Sequence, residues 1–164
     1  AADYYFTYID QVSSDDIRRT LELQAIEALA FLGNISEEKS LHRYAPGKWS
    51  IRESWSHVND TERLFTFRAL WFARAMEAPL PSFDQDLAVP SAAADQRSWR
   101  SHLDEFAAIR SATTAFFNSL PDAAWERQGI ASGKPFTVHF PSPSFTGSTG
   151  GAMSSPGSTC LKVR

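Results

Sequence analysis

A single cysteine, Cys160, is all this sequence offers for thiol chemistry. A disulfide framework is excluded, and a reducing compartment, the cytoplasm, is the expected setting. No basic run exceeds two residues and the net charge is -3, so the cationic footprint of a nucleic-acid binder is missing. Apolar runs such as Ala28 to Leu32 are far too short to span a bilayer. No basic-then-apolar signal peptide opens the chain, which begins Ala1-Ala2 without an initiator Met, as a fragment would. Partners among nucleic acids and membranes are therefore not expected. Cys-x-x-Cys, Gly-x-Ser-x-Gly and a phosphate-binding glycine loop are also absent, since Gly129, Gly133 and Lys134 are too sparse for a cradle.

What is present suits one helical domain. With 164 residues and 43% apolar content, the chain is long enough to build a core without staples. A first helix is expected from about Asp15 to Leu32. Ser13, Ser14, Asp15 and Asp16 supply its cap and negative charge, and Gly33-Asn34 stops it. A second helix runs from about Ile51 to Glu77. Ser50 with Glu53 forms a capping-box pattern, and Trp49 is a candidate staple. Positions 51, 55, 58, 62, 65, 69, 72 and 76 make its apolar stripe, interrupted by Glu62. Residues 78 to 92, with three prolines, read as a loop. A third helix follows from about Ala93 to Ser119, with Trp99, Leu103, Phe106, Arg110, Thr113, Phe117 and Leu120 on one face. No strand-like alternation of useful length is evident. Short links between amphipathic helices argue for an all-α antiparallel bundle. The second helix also carries Leu64, Phe67 and Trp71 off its main stripe, so it calls for a fourth helix, a second copy, or both.

The composition breaks after Val138. Of the 26 residues from His139 to Arg164, sixteen are Ser, Thr, Gly or Pro and none is acidic. Such a segment has no apolar face to bury and is expected to be disordered. Residues 1–138 thus form the helical domain and 139–164 an aberrant tail, lying where a fourth helix belongs.

Within the helical domain, His57 flanks the apolar stripe. Asp60 and Thr61, at i+3 and i+4, share its face. Bundles build metal sites this way, with further ligands from facing helices; the simpler reading is a half-buried histidine bonded to a neighbour. Glu62 in the stripe needs a partner or a shifted pKa. Arg110 and Arg68 are the candidates, and an ion pair joining the second and third helices is the leading expectation. Of the other histidines, His42 is expected on the surface, His102 on the surface or as a weak ligand, and His139 opens the tail.

Ala45-Pro-Gly-Lys-Trp-Ser-Ile-Arg-Glu53, followed by His57, Asp60, Glu62-Arg63 and Arg68-Ala-Leu70, resembles the DinB/YfiT-like superfamily. Phe83-Asp-Gln-Asp86, the Leu103 to Leu120 helix and Gly129 with Pro135-Phe-Thr-Val138 extend the resemblance over roughly residues 13 to 138. It implies a four-helix bundle, often a homodimer. It also implies a divalent metal, commonly nickel or zinc, held by three histidines, of which one matches His57. Relatives act as thiol-dependent transferases or hydrolase-like enzymes, so a small thiol or other small molecule is the implied substrate. The metal would activate a thiol or a water by lowering its pKa.

The departure lies at the other two ligands, which the resemblance places on the fourth helix. No histidine follows His139, and His139 stands too early to take either role. The bundle is therefore expected with its fourth helix missing or degraded, its metal site incomplete and its catalysis lost. A shifted reading frame after Val138 would account for the abrupt break; a divergent tail is the alternative. A non-catalytic dimerisation module, using the aromatics of the second helix, is the competing function.

Overall fold

A computed structural model describes residues 17–138. Its long helices are α1 (Ile17–Leu32), α2 (Ile51–Ala73) and α4 (Trp99–Asn118). Between the last two lie a short α3 (Gln85–Ser91) and a 3-10 turn, Ala94–Gln96; α5 (Asp122–Trp125) and an antiparallel hairpin of β1 (Gln128–Ala131) and β2 (Lys134–Thr137) follow α4. No described helix is long and apolar enough to cross a membrane. The expected first-helix cap and the tail lie outside the described residues.

α4 is the central helix, with α1 and α2 packed along it. Leu32 meets Trp99 and Leu21 meets Arg110, so α1 runs antiparallel to α4. Along α2, Ile51 and Trp55 lie by Trp99 and Leu103, Glu62 meets Arg110 and Thr66 meets Thr113. These pairs advance together, so α2 and α4 run parallel. The helical bundle is as expected, but an all-antiparallel order is not. The reason is the connection: residues 74–98 form a long crossover that returns the chain to the start of α2.

The bounds shift for local reasons. α2 stops at Ala73 because Ala75 turns left-handed, with φ 56°. α3 forms within the expected loop because the Asp84 side chain accepts from the Asp86 and Leu87 N–H groups. Pro90 removes one donor near its end, and the helix stops at Ser91. α4 begins at Trp99, not Ala93. The buried Arg52 takes the carbonyls of Asp95 and Arg97, and Ser98 caps the helix.

The unexpected hairpin is too short to show an alternating pattern. Its turn, Ser132-Gly133, has φ 52° and 70°, the two positive values of a tight hairpin turn. β1 also bonds Leu80, which donates to Ile130 O and accepts from Ser132 N. The hairpin closes the core over Ala69, Phe72, Ala73, Leu120, Ala124, Ala131 and Val138. Gly129 is required there, because a Cβ would fall 2.0 Å from the Phe72 ring.

Candidate metal site at His57

The start of α2 is fixed before His57 is reached. Ser50 Oγ accepts from Glu53 N at 3.0 Å, and Ser50 N donates to Glu53 Oε2 at 2.8 Å, completing the capping box. Arg43 ties Glu53 to Asp95, and Ser50 Oγ donates to Asp95 Oδ1 at 2.5 Å. Trp49 stands just before this cap. Its ring lies 5.2 Å from the His57 ring, and Trp49 also lines a cleft of about 310 Å³ with Lys48, Val89 and Pro90.

His57 itself is half-buried on the second turn of α2. Its Nε2 lies 3.4 Å from Thr61 Oγ1, and its Nδ1 is buried with no hydrogen-bond partner among the described residues. Burial lowers the imidazole pKa below its usual value, and the charge of Asp60 opposes that shift. A neutral ring with an unbonded nitrogen is the state a metal ligand needs.

The remaining donors do not gather around it. Asp60 lies 3.6 Å from Arg63, within an ion-pair chain that continues through Glu105 to Arg97. Burial pushes the Glu105 carboxyl up, but the hydrogen bonds from Arg63 and Arg97 outweigh it and hold its pKa low. His102 is fully buried on α4, with its Nε2 3.0 Å from Ala94 O, so it is not a surface residue; its Nδ1 is also buried without a hydrogen-bond partner among the described residues. His42 is exposed, as expected. Among the described residues no three His, Cys, Asp or Glu side chains converge on a possible metal position. The described chain ends at Val138, packed by Phe72, roughly 22 Å along α2 from His57 at 1.5 Å per residue. His139 lies outside the described residues. The described donor set, one imidazole, does not fit a three-histidine centre.

Glu62 found the partner its position demanded. Arg110 grips it through Nε at 2.8 Å and Nη2 at 2.9 Å. Arg68 is held elsewhere, donating to Pro81 O and Ser132 Oγ. The carboxylate is therefore spent on a bidentate ion pair. Three buried polar residues of α2, Arg52, Ser56 and Asn59, went unforeseen. Arg52 bonds Ser40, Glu37, Asp95 O and Arg97 O, and Asn59 donates to His102 O at 3.2 Å. None lies on the apolar stripe, and only the cluster of Glu37, Asp95 and Ser40 partners explains Arg52.

The family model for the DinB superfamily matches residues 20–140. This chain belongs to that superfamily. Among solved structures, this DinB chain is similar to YfiT from Bacillus subtilis, a probable metal-dependent hydrolase with an unusual four-helix bundle topology. The TM-score is 0.62 at 14% identity, over 79% of this chain and 77% of that one. At that identity the likeness establishes the helical DinB fold. No curated protein matches.

Proposed function

We propose that this chain carries the scaffold of a divalent-metal-dependent DinB enzyme, of the thiol-dependent transferase or hydrolase-like kind, with its metal site incomplete. His57 stands at the ligand position, and nickel or zinc is the ion such an imidazole suits. The reading is supported by superfamily membership and by YfiT's description as metal-dependent. One observation carries it: the buried, unbonded Nδ1 of His57 has no second donor converging with it among the described residues. The cleft beside Trp49 has the size for a small thiol or another small molecule. Assays of ester hydrolysis and of thiol transfer, each with added Zn²⁺ or Ni²⁺, test the claim. No rate above a metal-free control is expected. A metal-dependent rate abolished by His57→Ala would show a complete enzyme.

A second reading, a non-catalytic homodimer, is favoured by Phe67 and Leu70 on α2, which are 47% and 38% exposed. Sedimentation analysis separates the two. A dimer dissociated by Phe67→Lys, in protein that binds no metal, supports the interaction module.

A further inference from the structure

We propose that α1 is a latched strap, which opens from the bundle before α2 and α4 unfold. The inference is independent of any metal at His57.

The two flanking helices both pack along α4 but differ in burial. Of the sixteen residues of α1, only Leu32 is buried, whereas α2 buries seven along its length. Leu23, Ile26 and Phe31 leave α1 with apolar groups in water. α1 packs against α4 and makes little contact with α2. Elements with few buried apolar groups are the first to open.

α1 packs on α4 along its length, with Ala28 and Leu29 beside Leu32, and two sets of directional bonds add to that packing. At the C-terminal end, Leu32 packs with Trp99 and Leu103, and Trp99 Nε1 donates to Leu32 O at 3.2 Å. Gly33 follows at once and closes the helix by bonding Leu29 O. That end is the hinge. Towards the N-terminus, Arg110 Nη1 donates to Leu21 O at 3.0 Å and lies 3.4 Å from Gln24 Oε1, and Arg18 lies over the Trp125 ring at 5.8 Å. Arg110 is aimed by its bidentate bond to Glu62. The ion pair that joins α2 to α4 thus also presents the N–H that holds α1. It is the latch.

The latch separates local from global stability. Replacing a buried ion pair by apolar residues of similar volume is often neutral or stabilising for the whole fold. Here the same change would release Leu21 O. Native-state hydrogen exchange on the full chain, read by mass spectrometry, tests this. In the unmodified protein, amides of residues 21–31 should exchange at least about tenfold faster than those of residues 55–69. In the double variant Glu62→Leu with Arg110→Leu, exchange in α1 should rise by roughly a further tenfold, while the unfolding midpoint does not fall. Equal protection of α1 and α2 in the unmodified protein would overturn the proposal. So would a double variant in which all three helices change together. If that variant does not fold, the unmodified protein alone decides.

Discussion

The two halves of α2 are buried by opposite means. In the first half the buried side chains are Arg52, Ser56 and Asn59, all polar; in the second they are Arg68, Ala69, Phe72 and Ala73, mostly apolar. The first half is fixed by a capping box and by guanidinium groups that meet carboxylates and carbonyls. The second is fixed by a ring packed under a hairpin. A bundle can therefore set register at one end of a helix with directional bonds and gain its apolar stability at the other. His57 sits in the polar half but is itself held mainly by packing, half-buried with its ring against Trp49 and its Nδ1 unbonded among the described residues.

The contrast can be broken from either end. Phe72→Ala should cost about 3–5 kcal/mol, the range for truncating a buried aromatic, read as a fall in the denaturant midpoint. At the junction of the halves, Glu62→Ala should cost a similar 3–5 kcal/mol, because it leaves Arg110 buried without its carboxylate. If it costs under about 1 kcal/mol, the pair behaves as a surface bridge, and the directional account of this region is wrong. Gly129→Ala should cost about 1–3 kcal/mol, since the Phe72 ring must move to admit a Cβ. Ser50→Ala should cost about 1 kcal/mol, the usual value of an N-cap.

The smallest effect is that of pH. The folded pKa of His57 is lowered, chiefly by burial. The neutral ring is then favoured in the folded state, and its contribution is fully present above the unfolded value of about 6.5. It declines as pH falls below that value and levels off beneath the folded pKa. His57→Gln should flatten this part of a stability-versus-pH curve measured by denaturant titration. An unchanged slope would mean that the ring titrates alike in both states.

The same contrast decides what was legible in the sequence. The capping box at Ser50 and Glu53 follows from residue spacing, and so does the demand of Glu62 for an arginine, though the choice of Arg110 over Arg68 is settled only by the fold. The apolar stripe of α2 holds in its second half, at Ala69 and Phe72. In the first half it misses by one position, since the most buried residues are Arg52, Ser56 and Asn59 instead of Ile51, Trp55 and Val58. Long-range partners such as Asp95 O and Arg97 O bury those polar groups, and periodicity does not see them. The parallel course of α2 and α4 was hidden for a related reason. The proline-rich stretch reads as a loop, whereas it contains a capped helix and carries the chain back along the bundle. At the candidate site, the half-buried place of His57 on α2 was legible from its spacing. Its contact with Trp49 was not, because the same spacing also suits a staple.

Metal retention tests the central claim most directly. The full chain is loaded with excess Zn²⁺ or Ni²⁺, desalted, and its bound metal measured, alongside His57→Ala. An incomplete centre predicts substoichiometric metal in both proteins. One equivalent retained by the unmodified protein and lost in His57→Ala would contradict it.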